Sequence, residues 1–172
     1  MARTSYANVL ALPDSAQGWN FDLFFPTIPG TSISAAGLTY ACKSTEIPAS
    51  TIEAVDIALH GTTKKEAGRA TYEHTFPATF LGTVDWSTFL AMRAWRNKMR
   101  SWKENSGSNS QAYKVNLELD LYDNAGEVAL TLILAGSFPL TINGTQLNGA
   151  ESTAVEVSMN FSFDYVSDLT GF

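Results

Sequence analysis

The chain of 172 residues contains one cysteine, Cys42, two histidines, His60 and His74, and only 16% charged residues. A lone cysteine excludes an intramolecular disulfide and fits a reducing compartment. So few imidazoles and thiols leave little for metal binding or nucleophilic catalysis, and no Cys, His and carboxylate set has metal-ligand spacing. A dyad of Cys42 with His74 is allowed by spacing, but an unpaired cysteine in a β-rich body mostly serves as a small hydrophobe. Gly61-Thr62-Thr63-Lys64-Lys65 lacks the spacing and the ending of a phosphate-binding loop. No window approaches the ~18 unbroken apolar residues of a membrane span. The first thirteen residues carry one cation, Arg3, and no apolar core of a signal peptide, so Asn143-Gly144-Thr145 and Asn160-Phe161-Ser162 read as chance sequons. The low charge accompanies 45% hydrophobic residues, which excludes intrinsic disorder.

What is abundant is sheet-forming: ten Phe, six Tyr and four Trp, with many Val and Thr. A chain of this length buries about 70% of its surface in one domain. Period-2 alternation runs through most of it. Trp19, Phe21, Leu23 and Phe25 form one face of a first strand, stopped by Pro26-Thr27-Ile28-Pro29-Gly30. A short strand is expected over 38 to 45 and another over 54 to 59, followed by a polar connection from Gly61 to Gly68. Tyr72, His74, Phe76, Ala78 and Phe80 then share a face, and Pro77 requires that strand to be an edge or to carry a bulge. Val115, Leu117, Leu119 and Leu121 alternate up to Asp123-Asn124-Ala125-Gly126, a hairpin turn. Val128, Leu130, Leu132 and Leu134 return, apolar on both faces and so requiring cover on both. Val155 to Tyr165 is the longest alternation of all.

One segment, residues 85 to 103, reads as a helix, with Asp85 as a capping acid and cations toward its end. A step of about 100° per residue groups Met92, Trp95, Met99 and Trp102 on one arc and Arg93, Arg96 and Arg100 on another. This segment holds five basic residues and one acid, leaving six basic and sixteen acidic residues elsewhere. A basic helix therefore sits on an acidic β body. Such a face is either solvated or a docking strip for an acidic partner, and the acidic whole argues against a nucleic-acid binder.

Several stretches in order carry a family resemblance. They are the strand ending in Phe25-Pro26-Thr27-Ile28-Pro29-Gly30, the strand end Glu46-Ile47-Pro48, the polar loop with Gly61, and the Phe76 to Phe80 strand leading to the Trp86 to Trp102 helix. The Leu117 to Asp123 strand with its turn, and Gly136-Ser137-Phe138-Pro139, complete the series. Over residues 15 to 166 the chain resembles the tail tube proteins of contractile-tailed bacteriophages, a superfamily shared with pyocin and type VI secretion tube proteins. Ala49 departs from a glycine frequent in that family.

The resemblance implies a single tail-tube domain over 1 to 172, with a flexible N-terminal arm over about 1 to 16 and an inter-ring loop over about 60 to 70. It implies a mainly β, antiparallel sandwich or barrel subunit with one flanking helix. Such subunits form hexameric rings that stack into the inner tube of a virion tail assembled in the host cytoplasm, with no membrane insertion, enzymatic activity or cofactor. Partners would be further copies, the sheath, tape-measure and baseplate proteins, and DNA passing at ejection. On this reading the outward faces of two strands, Asn116, Glu118 and Asp120 with Glu156, Ser158 and Asp164, line the lumen and repel phosphates within a Debye length of about 8 Å. Thr62, Lys64, Lys65, Glu66 and Arg69 form the ring-stacking loop, and Arg93, Arg96 and Arg100 face the sheath. A secretion or pyocin tube protein and a monomeric β-barrel ligand-binding module are the alternatives.

Overall fold

The computed structural model describes residues 14 to 168 except 146, 149, 151 and 152, so residues 1 to 13 of the expected arm lie outside the described residues. The elements in order are β1 (Phe21–Phe24), α1 (Ala35–Ala41), β2 (Cys42–Thr45), β3 (Ser50–Leu59), β4 (Thr62–Tyr72), β5 (Thr75–Leu81), α2 (Ser87–Met99), β6 (Val115–Tyr122), β7 (Val128–Ile142), β8 (Glu156–Ser162) and β9 (Tyr165–Asp168). All pairings are antiparallel, and the main sheet runs β1-β6-β7-β8-β5-β2 with β9 also on β7.

The long strand β7 makes this path into two layers. Its first part pairs with β6 and β9, while Phe138 to Ile142 pairs with β8. Between them Gly136 takes φ +67°, and a Cβ there would stand 2.2 Å from an Asp164 carboxylate oxygen. Only glycine fits the bend. The first layer is thus β1, β6, β7 and β9, and the second β7, β8, β5 and β2. Their inner faces meet where Phe25 lies 5.9 Å from Phe80 and 6.0 Å from Phe161. Leu23, Leu117, Leu119 and Leu134 from the first layer and Phe76, Phe80, Val157, Met159 and Phe161 from the second are fully buried or nearly so. Burying each such side chain contributes about 1.5–3 kcal/mol.

Helix α2 covers this core with Ala91, Met92 and Trp95. The Trp95 ring sits 6.1 Å from Phe161, and its Nε1 donates to the Tyr113 carbonyl at 2.7 Å, so the indole is buried without an orphaned N–H. The path ends at β1 and β2 without pairing them, so the architecture is an open sandwich and not a closed barrel.

Five local expectations need correction. Residues 38 to 45 are half helix: α1 occupies 35 to 41, where alanines favour a helical turn that seats Leu38, and the strand is confined to β2. The polar connection from Gly61 to Gly68 is mostly strand β4, paired with β3 in a two-stranded ribbon whose residues are exposed on both faces. The β3 half shows its alternation over 54 to 59, but β4, polar along its length with neither face buried, carries no such period. Tyr72 and His74 do not share the core face of β5, because Glu73 and His74 break the strand and His74 takes φ +45°. Pro77 lies inside the sheet, but the β2 ladder stops beside it at Thr45 and Ala78, after a register shift between Cys42 and Ser44; Thr45 Oγ1 donates to the Pro77 carbonyl at 3.1 Å. Finally α2 spans 87 to 99, shorter than 85 to 103, since Arg100 is extended and bridges Gly107. That leaves Trp102 and Arg100 off the helix.

Candidate assembly surfaces

Of the six polar residues, three lie on β6 and two on β8 in two different layers, and Asp164 lies in the link after β8 at the bend between them. On β6, buried Leu117 and Leu119 turn Asn116, Glu118 and Asp120 to the outer face of the first layer. Asn116 Oδ1 accepts the Gly136 N–H at 3.0 Å, and Asp120 accepts the Thr131 hydroxyl at 2.5 Å. Asp120 also stands directly opposite Asp22 of β1, a like-charge cross-strand pair. The Tyr122 hydroxyl donates to Asp22 at 3.0 Å. Partial desolvation, then the bond to Asp22 and the charges of Asp22 and Asp120, raise the Tyr122 phenol above its ordinary pKa. Asp22, missed in the sequence, carried one signal: it faces away from Leu23 in the same alternation.

On β8, buried Val157, Met159 and Phe161 turn Glu156, Ser158 and Asn160 outward from the second layer. Here charge is compensated. Lys43 of β2 pairs with Glu156, and Ser158 shares a 3.2 Å hydrogen bond with Thr79. Asp164, in the link between β8 and β9, receives Lys114 Nζ at 2.7 Å on both oxygens. Among the described residues Asp22, Glu118 and Asp120 have no cation within 4 Å. The outer faces of a two-sheet sandwich look in opposite directions, so Glu156 and Ser158 face away from Asn116, Glu118 and Asp120, while Asp164 stands at the bend beside Gly136.

Thr62, Lys64, Lys65, Glu66 and Arg69 all lie on β4 of the ribbon and all are exposed. The ribbon turns at His60 and Gly61, with φ +48° and +80°, the two positive values a two-residue hairpin turn demands. Lys64 pairs with Glu66 at 2.6 Å and Lys65 with Asp56 at 3.4 Å, so most of its charges are satisfied within it. Val55, Ile57 and Leu59 line up on one of its faces.

On α2, Arg93 and Arg96 border a groove of about 430 Å³ whose apolar wall is Trp86, Phe89, Trp102, Ile142 and Leu147. Trp102 folds back so that the Arg96 guanidinium lies 4.4 Å above its ring. Arg100 does not line it. The groove draws on three separate stretches, which is why no local pattern announced it. At the helix start the Ser87 N–H donates to Asp85 at 3.2 Å, and hydrogen bonds from the Thr83 hydroxyl first and then from Ser87 hold the Asp85 carboxyl below its usual range.

The residues with catalytic potential stand apart. Cys42 pairs with Phe80 near the end of β5, whereas His74 precedes its beginning. Burial, with the Asp22 charge second, pushes the Cys42 thiol from its ordinary 9.0 up to about 12, the reverse of an activated nucleophile. Among the described residues no group of three or more His, Cys, Asp and Glu could hold a metal, and no helix is long and apolar enough to cross a membrane.

The phage tail tube protein profile matches residues 20–167. The chain belongs to the phage tail tube protein family. It is accordingly a non-enzymatic, structural component of a tail. No curated protein matches its sequence. Among solved structures it resembles a chain of the sheath-tube complex of an extracellular contractile injection system, PVC, in its extended state, at 14% identity and TM-score 0.59, covering 96% of this chain and 98% of that one. A chain of the six-fold symmetrised anti-feeding prophage baseplate matches at 12% identity and TM-score 0.63, with coverage of 92% and 97%. A type six secretion system protein matches at 11% and 0.52, with coverage of 87% and 82%. At these identities the likeness is one of fold.

Proposed function

We propose that this tail tube protein closes into hexameric rings that stack into the inner tube of a contractile tail, and that the outer face of its first layer lines the lumen through which DNA leaves. The single observation behind the lumen assignment is the charge contrast between the two outer faces. Asp22, Glu118 and Asp120 have no cation partner among the described residues, whereas Glu156, the acid on the outer face of β8, is neutralised by Lys43. Uncompensated acids repel phosphates near the wall, the inverse of counterion-releasing binding. Asn116 extends that face, while Glu156 and Ser158 belong to the opposite one and Asp164 stands beside Gly136 at the bend between the layers.

Strands β1, β2 and β9 each pair on one side only among the described residues, and ring closure supplies neighbours for such edges. A likeness to a chain of a six-fold assembly supports the ring order. The ribbon, including Thr62, Lys64, Lys65, Glu66 and Arg69, serves stacking. Arg93 and Arg96 with their groove face an acidic sheath segment, a reading supported by the likeness to a tube bound to its sheath. Arg100 flanks them. Tape-measure and baseplate proteins meet the tube inside and at its end, and assembly takes place in the host cytoplasm.

The experiment exchanges charge on each face separately. Tubes carrying Glu118→Lys with Asp120→Lys are expected to form but to eject DNA several-fold more slowly, while Ser158→Lys with Asn160→Lys leaves ejection unchanged. The opposite pattern would move the lumen to the second layer. Likeness to a type six secretion protein keeps a secretion tube as the second reading, which export of the protein from living cells would establish.

A further inference from the structure

The ribbon and an apolar ledge occupy opposite ends of one sheet. Strand β5 starts at Thr75 beside Ser162 and ends at Leu81 beside Glu156. The ribbon departs from the first end, where β4 stops at Tyr72 and β2 stops at Thr45. At the second end Leu81, Trp86 and Leu90 are half exposed, and Val84 is exposed at 102% with no packing in its own subunit. They surround an opening of about 370 Å³ lined by residues 81 to 84, Trp86, Ala154 and Val155, without an ionisable side chain. Seven strand residues separate the two ends by about 20 Å.

We infer that this ledge receives the β3–β4 ribbon of a second copy, seated by its Val55, Ile57 and Leu59 face, so that copies join head to tail along the strand direction. The inference rests on the tube reading and supplies the receiving half of its ring-to-ring contact. The ribbon needs such a seat, because a two-stranded hairpin alone is marginal in water and β3 and β4 pair only with each other. Its chemistry matches the ledge: Val55 and Leu59 are about half exposed, and the residues across from this stripe, Thr62, Lys64 and Glu66, carry one cation and one anion already paired. An opening lined by uncharged side chains, with exposed Asp85 at its rim, therefore meets a face without net charge. The placement decides the symmetry. Two different patches at opposite ends make a heterologous contact that repeats without closing, as a growing tube requires; ribbon on ribbon would stop at a pair.

Val84→Glu tests this without touching the core. The expected result in electron micrographs is single rings under conditions where the wild type makes tubes, and tubes of wild-type length would overturn the inference. A chain carrying Val84→Cys and Leu59→Cys, assembled and treated with a short bis-maleimide, should give a ladder running past six subunits that neither single variant gives. No ladder, or one ending at six, would place the ribbon elsewhere and refute the contact. If Val84→Glu makes neither rings nor tubes, the cross-link decides. Failure of the tube reading is separately visible, since the wild type would then form neither.

Discussion

Gly136 shows how one residue sets the shape of the subunit. Its φ of +67° lets β7 leave the first layer and enter the second, and Asp164, gripped by Lys114, fills the space a side chain would take. Gly136→Ala would impose a left-handed backbone on an L residue, about 1–2 kcal/mol, and an overlap with the carboxylate. The expected loss is about 2 kcal/mol, seen as a lower urea midpoint with an unchanged slope; an unchanged midpoint would show that the bend does not depend on glycine. The same scale explains why the acids could not be sorted in the sequence. Glu118 and Glu156 look alike in their alternations, and only the pairing of β2 through β5 to β8 brings Lys43 to Glu156.

Elements were legible in proportion to how one-sided their burial is. Strands β6 and β8 each bury one face, so alternation gave β6 to the residue and found β8. The run to Tyr165 overran the end of β8 at Ser162, because the alternation continues through Phe163 and Asp164 into β9 on the other layer. The ribbon buries neither face, and its β4 half, rich in Thr and Lys, reads as a loop. Helix α1 is seven residues long and buries only Leu38, too little for a helical period to stand out. Since the ribbon packs on itself, trimming it should separate folding from assembly. Replacing residues 57 to 64 by an Asn-Gly turn, which leaves Asp56 beside Lys65, is expected to change the urea midpoint little and to stop tubes at single rings. Tubes of normal length from this variant would remove the ribbon from stacking.

For the whole molecule, the separation of surfaces matters more than any single site. One outer face carries unpaired acids, one end carries the ribbon and the other the ledge, and α2 presents Arg93 and Arg96 beside an apolar groove. Arg93→Glu with Arg96→Glu should leave tubes intact while sheath subunits no longer coat them, and coating of wild-type tubes should weaken as salt rises; an undiminished coat would exclude this face as the sheath contact. The sequence by itself determined a mainly β, acidic chain with one basic helix, because burial of one face writes a period into the residues and charge is a matter of counting. It also carried the family, through short motifs in a constant order. Only the tertiary structure decided that the sandwich is open, that Glu118 and Glu156 look in opposite directions and that ribbon and ledge stand at opposite ends. Those facts depend on a bend at one glycine and on pairings between residues up to 113 positions apart, which no local pattern can encode.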